Sequence, residues 1–160
     1  MKKLLILLVI TVICFSCKDD ESPEVKLSGT YAANVELVED ELSELTFMKF
    51  QNDGKLTVET YRQIVPLGAN CLTTIRKGTY TIIGNQFSFS VMETLSPDPS
   101  AFDIGGECPT EDQLVNAQGP DPVVITGVIN VADSRATFDL TYNCEPQHFC
   151  PETTFSQVME

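Results

Sequence analysis

Cysteine and histidine are the side chains in this chain with the most chemistry to offer, and their spacing decides which chemistry is open to them. Cys71, Cys108, Cys144 and Cys150 are spread from residue 71 onward, and His148 is the chain's one histidine. No CxxC pair is present, so the ligand spacing of a structural zinc site is missing. An even number of cysteines in an exported chain reads instead as two disulfides. Cys144 and Cys150 are close enough to close a small loop around Pro146, leaving Cys71 for Cys108, but four cysteines allow three pairings and the sequence does not choose among them. His148 lies between Gln147 and Phe149, with no nucleophile or base motif beside it. There is no Gly-x-Ser-x-Gly elbow, HExxH, phosphate-binding loop or dinucleotide fingerprint. Carboxylate pairs could hydrolyse glycosides, but the acids here are scattered over turns. Asp98, Asp103 and Glu107 share one loop in a spacing that matches no cation-binding loop. The chain is therefore expected to be no enzyme and to need neither metal nor cofactor.

Cys17 stands apart from the other cysteines. Before it come a basic head, Met1-Lys2-Lys3, an apolar run from Leu4 to Phe15, and the small Ser16. Those are the parts of a secretory signal, and the run is shorter than the roughly 20 residues a membrane-spanning helix needs. Cys14-Phe15-Ser16-Cys17 resembles the processing site of bacterial lipoproteins. The resemblance implies cleavage after residue 16 and acylation of Cys17 with diacylglycerol and palmitate, an anchor of several chains that holds durably where one chain would not. Lys18-Asp19-Asp20 resembles the short signal by which some Gram-negative bacteria export lipoproteins to the outer face of the outer membrane. The expected address is thus the outer membrane, lipid-anchored and exposed at the cell surface, with a periplasm-facing protein as the alternative. Residues 17–26 form the acylated cysteine and its tether, stiffened by Pro23.

Removing the signal leaves 144 residues, enough for one domain with a real core. Loss of Lys2 and Lys3 takes the net charge from −13 to −15. Such a surface argues against nucleic acid and anionic headgroups as partners. The sequence is silent on oligomeric state.

The elements that must position these residues read as strands. Residues 27–160 alternate apolar and polar side chains with period two and hold no sustained helical period. Gly29–Val38 is a first strand, and Leu45–Gln51 and Lys55–Ile64 flank Asn52-Asp53-Gly54, a strong hairpin signal. Leu72–Ile83 and Gln86–Glu93 meet at Gly84-Asn85. Phe87, Phe89 and Val91 alternate with Gln86, Ser88 and Ser90, the pattern of a half-buried strand. Val123–Val131 is more uniformly apolar, as for a strand covered on both sides or closing a barrel. Asp133-Ser134 turns it into Arg135–Asn143, and a weaker strand spans Thr153–Val158. About eight short strands favour an all-β fold, an antiparallel up-and-down barrel, with a β-sandwich as the alternative.

Residues 94–122 break the alternation. They hold five prolines, the pair Gly105-Gly106, and a short helical hint over Thr110–Asn116. A connection this long in a compact domain is usually functional or disordered. Cys108 in its middle argues for order, so the segment reads as a stapled rim loop or lid whose tip is Ala101–Gly106.

Leu27-Ser28-Gly29-Thr30-Tyr31, Leu45-Thr46-Phe47 with Asn52-Asp53-Gly54, and Gly78-Thr79-Tyr80-Thr81-Ile82 with Gly84-Asn85 resemble the lipocalin-like domains of bacterial lipoproteins. The resemblance covers Leu27–Val91 and implies an eight-stranded barrel, which either fills its interior or holds one small ligand. Tyr31 stands where that family opens with Trp. Arg135 could pack over it by cation–π contact, although a turn-flanking surface arginine is the favoured reading. Tyr31, Phe47, Phe87, Phe89, Phe138 and Tyr142 are the candidate ligand-lining residues, with a plain core as the competing role. Two functions remain open: a surface binding module for a small apolar or amphipathic ligand, and a structural or interaction module with a filled barrel that contacts protein or glycan.

Overall fold

The computed structural model describes residues 23–37, 42–64, 69–98, 108–144, 150 and 152–159. The lipoprotein processing site with Cys17, the loop tip Ala101–Gly106 with Asp103, Glu107, and His148 lie outside the described residues. The strands are β1 (Gly29–Leu37), β2 (Leu42–Phe50), β3 (Lys55–Ile64), β4 (Ala69–Ile83), β5 (Gln86–Pro97), β6 (Leu114–Asn116), β7 (Val123–Val131), β8 (Thr137–Tyr142) and β9 (Thr153–Gln157). Neighbours run in the order β4-β3-β2-β1-β9-β8-β7-β5, and β4 pairs with β5 to close the ring. The result is a closed, eight-stranded, antiparallel up-and-down barrel, with β6 as a ninth short strand on the outer half of β5. The sandwich alternative is thereby set aside.

Local chemistry explains the turns at one end. Gly54 takes φ +82°, and the Lys55 amide donates to Asp53 Oδ1 at 3.2 Å, so the Asp-Gly pair closes the β2–β3 hairpin as its residue types demand. Gly84 at φ +59° does the same for β4–β5. At Gly78 the requirement is space. A Cβ there would stand 1.9 Å from the Ser90 carbonyl oxygen, beside the register shift at Lys77/Gly78 where β4 and β5 bend together.

Alternation sorts the two faces. Tyr31, Met48, Phe50, Leu56, Val58, Ile82, Phe87, Phe89, Ile129, Phe138, Leu140 and Phe155 are buried in one core cluster. The opposite faces carry Lys49 paired with Glu59 at 2.5 Å and Lys77 with Glu93 at 3.3 Å. Among the described residues no helix is long and apolar enough to cross a membrane.

One end of the barrel is plugged. The segment before β1 lies across it: Glu24 bridges to Ile83, the Val25 amide donates to the Ile82 carbonyl at 2.9 Å, and Leu27 is buried. Tyr80 donates its hydroxyl to the Leu27 carbonyl at 2.8 Å and accepts from the Leu27 amide at 3.2 Å. Behind this strap the rings interlock. Phe50 meets Tyr31 and Tyr80 edge-on at centroid distances of 5.6 and 4.8 Å, and Phe138 stacks on Phe155 at 4.9 Å. Such pairs add about 0.5–1.5 kcal/mol each beyond the burial of their area.

One expectation is corrected and one pair of alternatives is resolved. The helical hint over Thr110–Asn116 resolves into a single 3₁₀ turn, Glu111–Gln113, capped by Thr110 and running into β6. Of the two alternatives for β7, the strand closes the barrel, between β5 and β8 with Gly127 and Ile129 turned inward, and is not covered on both sides, Val123 and Val124 being 53% and 59% exposed.

Candidate ligand-binding cavity

The inward faces change character along the barrel. In β2 the series Phe50, Met48, Thr46, Glu44 runs from ring to carboxylate, and in β3 Leu56 and Val58 give way to Thr60. In β4 the face passes through Ile82, Tyr80 and Gly78 to Arg76, and in β8 through Phe138 and Leu140 to Tyr142. All four polar ends lie at the end opposite the plug. There the side chains stop filling the interior and leave a cavity of about 380 Å³, open at the barrel mouth. Its floor is apolar, set by Val58, Phe89, Ile125 and Phe155, and its upper wall carries Glu44, Thr46, Thr60, Arg76, Tyr142 and Asn143. Small-ligand sites range over roughly 300–1,000 Å³ and combine apolar walls with a few placed polar groups; this cavity sits in that range.

The electrostatics are uneven. Glu44 is held by Arg62 at 2.9 Å. Tyr142 packs against the core from the cavity side, and burial raises its phenol above the ordinary tyrosine range, with Arg76 drawing it down and Glu44 pushing it up. The phenol therefore stays protonated, a donor, at any physiological pH. Neither Arg76 nor Tyr142 forms a side-chain hydrogen bond or ion pair with another described residue.

Both disulfides frame this end. Cys71 bonds Cys108 and Cys144 bonds Cys150, with Cα separations of 5.1 and 6.2 Å. The pairing is the one in which Cys144 and Cys150 close the small loop. Cys144 and Cys150 border the mouth directly. The described part of the long connection is pinned beside β5 instead: Leu95–Pro97 pair with Leu114–Asn116, and Gln118 donates to the Val91 carbonyl at 3.0 Å and accepts from Thr94 at 3.2 Å. None of its described residues lines the cavity, so the described mouth is bordered instead by Cys144 and Cys150, which sequence reasoning had not connected with the mouth.

The six aromatic candidates divide by depth. Phe89 and Tyr142 line the cavity. Tyr31, Phe87 and Phe138 are buried in the packed core below it. Phe47 is on the other face of β2, edge-on to Tyr61 at 5.7 Å. Arg135 adopts the left-handed conformation at φ 56° in the exposed β7–β8 turn; its carbonyl accepts from the Tyr31 hydroxyl at 2.7 Å, and its guanidinium donates to the Lys26 carbonyl at 3.3 Å. It holds Tyr31 through its backbone while its side chain fastens the strap. Thr57 and Ser88, polar positions that might have signalled a cavity, are on the faces opposite Leu56 and Phe87. The residues that sequence reasoning missed are Glu44, Thr46, Thr60 and Arg76. Their signal was present: each continues an apolar period-two series into a polar residue, and all four do so toward the same end.

Comparison with protein-family models, curated proteins and solved structures finds no match.

Proposed function

We propose that this protein is a lipid-anchored binding protein of the outer membrane that holds a small apolar or amphipathic ligand in the open half of its barrel. The observation that carries the reading is the cavity itself: about 380 Å³, apolar below and polar above, at the end of the barrel opposite the one plugged by Leu27 and interlocked rings. Eight-stranded barrels of this size have room for one small ligand. The anchor reading rests on the signal-like first sixteen residues and Cys17. The geometry supports it in one respect. The chain enters the barrel across the plugged end, through Pro23 to Leu27, so a lipid on Cys17 would hold that end toward the membrane and turn the mouth away from it.

The direct test is titration of the mature protein with a fluorescent fatty-acid probe. One saturable site per chain, weakened by Thr60→Trp at the cavity wall, is the expected outcome, and no saturable binding would sink the proposal. Labelling cells with an alkyne analogue of palmitate should mark the wild type and leave Cys17→Ser unmarked.

The second reading, an interaction module contacting protein or glycan, is favoured by the exposed apolar side chains of Met92, Val123 and Val124 near the rim. It prevails if the probe finds no site.

A further inference from the structure

The basic residues among those described are nearly all spoken for. Lys49, Lys55, Arg62 and Lys77 pair with Glu59, Asp53, Glu44 and Glu93. Arg135 fastens the strap through the Lys26 carbonyl, and Lys26 itself is exposed to solvent on that strap. Arg76 is different. It is half-buried in the cavity wall and has no ion pair among the described residues, in a chain where acids outnumber bases 23 to 10. Partial burial of an unpaired charge is unfavourable, and carboxylates are the most abundant partners this chain could have offered. The one described carboxylate that lines the cavity, Glu44, is already paired with Arg62. Tyr142 lines the same wall, and its hydroxyl donates to no described residue. Two donors with no acceptor among the described residues thus face a cavity whose floor is apolar.

We infer that Arg76 is the receptor for the charged head of the ligand, and that the cavity takes an apolar molecule ending in a single anion, a medium-chain carboxylate being the simplest case. The proposal rests on the cavity being a binding site, and adds to it the charge and orientation of what binds: tail down toward Phe89 and Phe155, head at the mouth between Arg76 and Tyr142. A guanidinium offers a carboxylate two parallel hydrogen bonds from a planar fork, which a lysine cannot reproduce. Arg62 and Glu44 cancel each other beside it, so Arg76 is the one charge without a counter-charge among the described residues that line the cavity.

The test measures decanoate and decanol affinities of the mature protein by probe displacement, for wild type, Arg76→Gln, Arg76→Lys and Glu44→Gln. Wild type should prefer decanoate. Arg76→Gln should reduce the decanoate-to-decanol affinity ratio about ten- to hundredfold, the span of one charge-assisted hydrogen-bonding group. Arg76→Lys should fall between, and Glu44→Gln should raise the ratio by freeing Arg62. If both ligands bind and the ratio is the same in wild type and Arg76→Gln, the anion receptor is overturned while the cavity reading stands. If neither ligand binds wild type, both readings fall. Glu44→Gln keeps the question open to refutation should Arg76→Gln not fold, because an unchanged or lowered ratio there contradicts the electrostatic account.

Discussion

The two ends of this barrel are built from the same eight strands and do opposite things. At the plugged end the connections between described strands are tight turns, Asn52–Gly54, Gly84–Asn85 and the bend at Asp133–Arg135, and a strap from Pro23 to Leu27 crosses the opening. Every inward side chain there is large and apolar, or a tyrosine whose hydroxyl is bonded to backbone. At the mouth the connections lengthen, both disulfides appear, and the inward series turn to threonine, arginine and glutamate. The lesson is a division of labour along the barrel axis: one half supplies the packing that holds the strands in register, which leaves the other half at liberty to stay empty.

That contrast predicts a gradient of mutational effects. Phe138→Ala and Tyr31→Ala, which remove rings from the interlocked cluster, should each cost about 3–5 kcal/mol in denaturant unfolding. Phe89→Ala at the cavity floor should cost less and weaken probe binding more. If the floor and plug substitutions proved equally destabilising, the division between the ends would be broken. Gly78→Ala should cost about 3 kcal/mol or more, since the Ser90 carbonyl has to move. The disulfides sharpen the comparison at the mouth. Chain entropy assigns about 4 kcal/mol to the Cys71–Cys108 closure, with a separation of 37 residues, and about 2 kcal/mol to Cys144–Cys150, with a separation of 6. Replacing each pair by serines should show that order in stability and the reverse order in ligand affinity, because Cys144 and Cys150 border the mouth. The smallest effect is expected for Tyr31→Phe, about 1 kcal/mol for the lost bond to the Arg135 carbonyl.

A pH profile checks the burial of the tyrosines at both ends. Tyr31, Tyr61, Tyr80 and Tyr142 are all raised by burial above the ordinary value of 10.0. The folded state then holds its phenolic protons where the unfolded chain has begun to release them. Their contribution is therefore fully present below about pH 10 and is lost as pH rises through the folded values. Unfolding free energy followed from pH 8 to 11 should be level at first and then fall.

Much of the barrel was legible in the residues because alternation and turn chemistry agree in it. Phe87, Phe89 and Val91 stand inside and Ser88 and Ser90 on the other face, as their spacing demands, and Val123–Val131 forms a strand over its full expected length. Legibility failed where pairing is set by distant chain. β4 begins at Ala69 because its first residues pair with the end of β3, and β5 ends at Pro97 because past the shift at Gly78 it continues by pairing with β4 and β6; both are longer than their patterns suggest. β6 itself, Leu-Val-Asn, is too short to show a period and exists through its partner. Phe47 misled because Leu45-Thr46-Phe47-Met48 is apolar on both faces, and only the pairing of Met48 with Val58 decides which face is inner. Arg76 and Thr60 were hidden for the same reason: a polar residue continuing an apolar series reads as a strand end until the register shows several such ends meeting around one opening.

The central claim, a barrel filled at one end and open to a ligand at the other, is tested most directly by native mass spectrometry of the gently purified mature protein. The account predicts one apolar adduct per chain, on a mass four hydrogens below that of the fully reduced polypeptide for the two disulfides. A bare oxidised chain that also refuses fatty-acid probes would contradict it, and would mean that the interior is closed to ligands at both ends.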